Sequence, residues 1–142
     1  MKDMLHTIQI EVADGHPLYS YFDTVLHLGN NLYNVSLFHI RQVMTGLQKE
    51  PEMRQPNERE VLENIRNALP RMKAQFQMPT KEKWFLNYYF LNEFFLKTKN
   101  PDYQAKALPK QCAQNMIRKA VADMTSYLSS VKNYHKDSSG YL

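Results

Sequence analysis

A mainly α fold, a bundle of four to five helices preceded by one short N-terminal β-strand, is predicted by three features of this chain. Apolar residues recur at intervals of three and four over most of its length, which places them on one face of successive helices. Polar stretches carrying proline cut those runs apart. Near the N-terminus, one stretch instead alternates at every second residue. With 142 residues the chain suffices for one domain with a core and is too short for two ordinary ones. Its 43% hydrophobic and 23% charged residues place it among folded chains and not disordered ones.

The alternating stretch is "LHTIQIEV" (5–12), where β-branched Ile8, Ile10 and Val12 share one face of a strand before "ADGHP" breaks it. A lone strand needs a partner for its backbone groups, and no second strand pattern follows. From Pro17 to about Lys49 the period turns helical through Leu18, Phe22, Val25, Leu32, Leu37, Ile40 and Met44. Gly29 costs a helix interior about 1 kcal/mol relative to Ala, so it marks a kink or a close helix contact. "KEPEMRQPN" (49–57) is a loop. Asn57 is the expected N-cap of the next helix, with Glu58 and Glu60 favoured by the helix dipole in its first turn. That helix runs through Val61, Leu62, Ile65 and Leu69 towards Phe76, kinked or broken at Pro70. After "MPTKEK", the aromatic run "WFLNYYFLNEFFLKT" (84–98) reads as core, with Asn92 capping a short helix from Glu93. "KNPDYQAKA" (99–107) is a loop. The last helix opens with Pro109 at its first position and carries an unbroken stripe from Cys112 through Ile117, Ala120 and Met124 to Val131. The domain boundaries that follow are a strand segment at 1–16, a helical domain at 17–136 and a tail at 137–142.

The single cysteine, Cys112, excludes an internal disulfide and a CxxC zinc ribbon within the chain. The N-terminus has no apolar run fit for a signal peptide, and nothing approaches the roughly 18 apolar residues of a membrane span. A cytoplasmic location, with no membrane contact, is expected. The charge is uneven. Residues 1–40 hold one Lys against four acids, whereas residues 97–136 hold eight Lys or Arg against Asp102 and Asp123. A basic half points to a polyanionic partner or to a solvated helix face.

Catalytic patterns are missing. The four glycines stand isolated at 15, 29, 46 and 140, so there is no Gly-rich phosphate loop. His6, His16, His27, His39 and His135 show no paired metal-ligand spacing, and Cys112 sits in an apolar stripe as a packed thiol. The acids at 58, 60 and 63 are explained by a helix start. The expectation is a chain with no catalytic residue, no metal ligand and no cofactor.

What remains is binding. "NLYNVSLFHIRQ" (31–42) interleaves Asn31, Asn34, Arg41 and Gln42 with Tyr33 and Phe38 on a helix. "KALPKQCAQNMIRKA" (106–120) sets Lys110, Gln114 and Arg118 four residues apart, with Lys106, Gln111, Asn115 and Lys119 widening the surface. Lys and Arg neutralise phosphates, Asn and Gln bond phosphate, sugar or base edges, and aromatic rings stack on unpaired bases.

These motifs occur in an order that resembles the N-terminal part of TnpB proteins, insertion-sequence nucleases related to type V CRISPR effectors. The resemblance rests on Leu32, Tyr33 and Asn34 followed by Arg41 and Gln42, then on Tyr103 ahead of Leu108, Pro109, Ala113 and Gln114. Ser126 and Tyr127 stand where the family has a Ser-Phe pair, and Ala105 and Lys106 widen the usual spacing before the Leu-Pro. It runs from about residue 7 to the C-terminus. It implies that the first strand belongs to a wedge β-barrel and that the helices form a recognition domain. It also implies that the chain is the N-terminal part of an RNA-guided DNA endonuclease, whose RuvC-like nuclease and zinc ribbon lie beyond it. Such a part does not cut by itself. Its implied partners are a guide-type structured RNA, target DNA or an RNA–DNA hybrid, gripped through the backbone while base pairing supplies sequence specificity, and the remaining parts of the same protein. The other reading from the residues is a helical protein–protein interaction domain that binds no nucleic acid and docks through the aromatic stretch 84–95.

Overall fold

A computed structural model describes residues 18–136, with side chains described as far as Tyr134. Four α-helices account for most of them: α1 (Tyr19–Leu47), α2 (Pro56–Ala68), α3 (Tyr88–Lys97) and α4 (Lys110–Lys136). No strand occurs among the described residues. The predicted strand at 5–12, and with it the segments 1–16 and 137–142, lie outside them.

Helix α1 spans 29 residues, about 44 Å at 1.5 Å per residue. Its buried edge steps through Gly29, Leu32, Ser36, Ile40, Val43 and Gly46, at intervals of three and four. Ser36 is tolerated there because its hydroxyl donates to the Leu32 carbonyl one turn back, at 2.9 Å. At the far end, the Arg54 Nε–H donates at 2.7 Å to the Gly46 carbonyl, which also accepts the Lys49 N–H at 3.3 Å, so the last turn of the helix is tied to the loop that follows.

Helix α2 begins two residues earlier than Asn57 capping implies. Pro56 takes the first helical turn, where its missing N–H costs nothing, and Gln55 becomes the cap. Glu58 closes the reciprocal box by accepting the Gln55 N–H at 2.7 Å. Pro70 ends the helix in a 3₁₀ turn, Leu69–Arg71, so Phe76 is not helical. Helix α3 also starts earlier than predicted. Asn87, not Asn92, is its cap, accepting the Phe90 N–H at 2.9 Å. Asn92 lies inside the helix, and its side-chain oxygen accepts the Tyr103 hydroxyl from the loop that follows. The chain leaves α3 through Lys99, which takes the left-handed conformation (φ 54°) that helix ends commonly use. Pro109 stands immediately before α4, and its carbonyl accepts the Ala113 N–H at 3.0 Å.

Helix α1 is the spine of the fold. Helix α4 packs along it, α2 packs against it, and α3 packs against both α4 and α2. The core between them holds Leu32, Ile40 and Val43 of α1, Val61 and Ile65 of α2, Phe90, Leu91, Phe94 and Phe95 of α3, and Ala113, Ile117 and Met124 of α4. The aromatic stretch therefore supplies core, as its composition predicts. Of its rings, Tyr89 is broadly exposed, at 70%. His39 bridges α1 to this cluster, its ring edge-on to Phe94 and Phe95 at 5.6 and 5.1 Å between centroids. No helix among the described residues is long and apolar enough to cross a membrane.

Candidate functional site

The two polar stretches read from the sequence, 31–42 and 106–120, are far apart in the chain and meet in the fold. Helix α4 carries the second stretch between α1 on one flank and α3 on the other. Its core edge, Ala113, Ile117, Ala120 and Met124, is fully or nearly buried, which turns Gln111, Asn115, Arg118 and Lys119 outwards as one exposed ridge. Five Lys or Arg lie on α4 against one acid, Asp123.

Both exposed cations of that ridge stand over tyrosine rings. The Arg118 guanidinium carbon lies 4.2 Å from the centroid of the Tyr88 ring on α3, and one of its nitrogens donates to the Asn115 side-chain oxygen at 3.3 Å. A guanidinium stacked this way keeps hydrogen-bonding edges turned to solvent. On the other flank the Lys119 ammonium lies 5.2 Å from the centroid of the Tyr33 ring on α1. It also donates to Asp123 Oδ2 at 2.9 Å, and the Tyr33 hydroxyl donates to the same oxygen at 2.6 Å.

This three-membered bridge shifts all its members. The Tyr33 hydroxyl bond, then the Lys119 bond and charge, hold the Asp123 carboxyl below its ordinary value. Asp123 holds the Lys119 ammonium above its own. Tyr33 is raised chiefly by its bond to Asp123 and then by burial, so its hydroxyl stays protonated and donating. The bridge thus fixes α4 against α1 and sets one lysine at the rim of the groove between them.

Two cavities open along that groove. One, of about 580 Å³, is lined by Tyr33, Arg41, Gln42, Asp123 and Tyr127 above an apolar floor that includes Leu37 and Met124. The other, of about 170 Å³, is bounded by Phe22, Leu26, Gly29, Asn30, Cys112 and Met116 and is nearly all apolar.

The structure gathers some of the predicted residues and disperses others. Arg41 and Gln42 line the larger cavity. Asn115 lines the smaller one and also stands on the α4 ridge. Gln111, Arg118 and Lys119 share that ridge, and Gln114 is half-buried beside it. Lys106 is exposed in the loop before α4, and Lys110 is exposed at its first turn. Asn34 is exposed on α1, whereas Asn31 is half-buried and lines neither cavity.

Residue type alone did not single out Tyr88, Asp123 or Tyr127. The signal for Tyr33 and Asp123 was present but weak, a tyrosine and an acid on two helices whose mutual register only the tertiary fold fixes. Among the described residues no three His, Cys, Asp or Glu side chains gather closely enough to hold a metal ion. Compared with family models, with curated proteins and with solved structures, the chain gives no significant match.

Proposed function

We propose that this chain is a nucleic-acid-binding module, gripping structured RNA and RNA–DNA duplex through their phosphate backbones and doing no chemistry itself. The observation that carries this reading is the meeting of part of the two amide- and cation-rich stretches along α1 and α4, with Lys119 of α4 seated over Tyr33 of α1 on one flank and Arg118 seated over Tyr88 of α3 on the other. Exposed cations held at fixed positions by aromatic rings suit phosphate binding, because less side-chain freedom is lost when the phosphate arrives. The amides of Gln111 and Asn115 beside them offer donors to phosphate and sugar oxygens. The resemblance to the recognition part of TnpB proteins supports the same ligand class, since base pairing there reads sequence while protein holds the duplex. By that resemblance the partners are a guide-type RNA and its DNA target.

The interaction-domain reading docks through 84–95, where Phe90, Leu91, Phe94 and Phe95 are buried, Trp84, Phe85 and Tyr88 half-buried and Tyr89 exposed, which leaves it a narrower face than the whole stretch. The nucleic-acid reading is tested by titrating the folded chain against structured RNA, an RNA–DNA hybrid and duplex DNA, each at two salt concentrations. Tighter binding to RNA or hybrid than to duplex DNA, falling steeply with salt, is the expected result. Absence of binding to any of them at low salt overturns it.

A further inference from the structure

We infer that the cleft of about 580 Å³ between α1 and α4 receives one unpaired RNA nucleotide, its base stacked on Tyr127 and its phosphate paired with Arg41. This rests on the nucleic-acid reading above and deepens it from backbone gripping to a site for a single unstacked base.

The volume lies within the roughly 300–1,000 Å³ of small-ligand sites, and the lining has their character: apolar floor, few polar groups at the rim. Of its two aromatic side chains, Tyr33 is already committed. Its hydroxyl is bonded to Asp123 and the Lys119 ammonium stands over its ring. Tyr127 is committed to nothing. The residue is 61% exposed, and its side chain makes no hydrogen bond, ring contact or cation contact among the described residues. An apolar ring left this way on the wall of an open cleft is a stacking platform, and every base has a face to offer it.

Arg41 is the matching cation. It is exposed on the same cleft, and its guanidinium forms no hydrogen bond or ion pair among the described residues. That distinguishes it from Lys119, whose ammonium already donates to Asp123 at the solvent-exposed rim. The cleft therefore offers one uncommitted ring and one uncommitted cation, the two groups that a nucleotide's base and phosphate require. A paired base cannot enter, since its faces are covered by its neighbours in the stack. The site selects for a bulged, looped or flipped position.

The test uses two RNA hairpins, one fully paired and one with a single bulged 2-aminopurine, whose fluorescence falls on stacking. The wild-type chain is expected to bind the bulged hairpin at least about fivefold more tightly than the paired one, as the stacking of one base allows, and to quench the probe. Tyr127→Leu, at an exposed position where the fold survives, is expected to remove both the preference and the quench, whereas Tyr127→Phe keeps both. Arg41→Gln is expected to lower the salt slope for the bulged hairpin by about one unit. Equal binding of the two hairpins by wild type, or unchanged preference and quench in Tyr127→Leu, overturns the cleft assignment and leaves backbone binding standing. If the folded wild-type chain binds neither hairpin, both readings fall together.

Discussion

Besides Asp123 at the rim, two titratable side chains packed into this fold couple it to pH, and both do so on the acid side. Glu58 is 3% exposed, and burial by itself raises its carboxyl. The hydrogen bonds it accepts from the Thr45 hydroxyl, the Gln55 N–H and the Lys49 ammonium reverse that and hold it below the ordinary glutamate value. His39 shifts for the opposite balance of reasons. Burial against Phe94 and Phe95 lowers it, although a bond to the Val35 carbonyl at 2.8 Å opposes the shift. With folded values below unfolded ones, both groups bind more protons when the chain unfolds. Their stabilisation is complete above the unfolded values, near 6.5 for His39 and 4.5 for Glu58, and fades as pH falls through the folded ones. Thermal melts across pH are therefore expected to show two separable losses. His39→Leu is expected to flatten the decline that begins below about pH 6.5 and to leave the lower one in place. Glu58→Gln is expected to flatten the lower one, with reduced stability near neutrality. Wild-type pH dependence retained in full by either variant contradicts the corresponding assignment.

At the scale of elements, the two glycines of α1 make opposite predictions although sequence position treats them alike. A Cβ at Gly29 meets the Met116 Cγ at 3.4 Å, an ordinary contact with a flexible side chain. Gly29→Ala is expected to be neutral or to stabilise by up to about 1 kcal/mol, the helix cost of glycine. A Cβ at Gly46 falls 3.1 Å from Glu58 Cβ and 3.2 Å from Leu62 Cδ1. Glu58 Cβ is bound to the α2 backbone, so α1 and α2 have to part. Gly46→Ala is expected to destabilise by about 1–3 kcal/mol as overpacking does, and equilibrium denaturation of the pair measures both. A stabilised Gly46→Ala contradicts the close approach of α1 to α2. Much of the element layout was legible: the periodicity placed α1, α2 and α4, and Pro70 the end of α2, whereas α3 was expected only from Glu93 and starts at Tyr88. What failed were the caps of α2 and α3. Asn57 and Asn92 are as good caps as any by residue type. The choice fell to Gln55, because Glu58 reaches back to it, and to Asn87, because Tyr103 claims Asn92 from a loop eleven residues on.

For the whole molecule, the candidate site was half legible. Residue type picked out the two basic and amide-rich stretches, because cations and amides at helical spacing are visible in one dimension. Their meeting was not visible, since it depends on how α4 lies along α1, a register set by Ile117 and Met124 in the core and by the Tyr33–Asp123–Lys119 bridge at the rim. The same register creates the cleft that Tyr127 and Arg41 share. On the reading proposed above, the outward ridge of α4 neutralises phosphates. The most direct measurement is the dependence of RNA affinity on salt for wild type and for the double variant Lys110→Ala, Arg118→Ala, in chains shown by circular dichroism to keep their helices. The double variant is expected to bind more weakly, with a log–log slope shallower by about two units, one for each phosphate no longer neutralised. An unchanged slope, with folding intact, contradicts it.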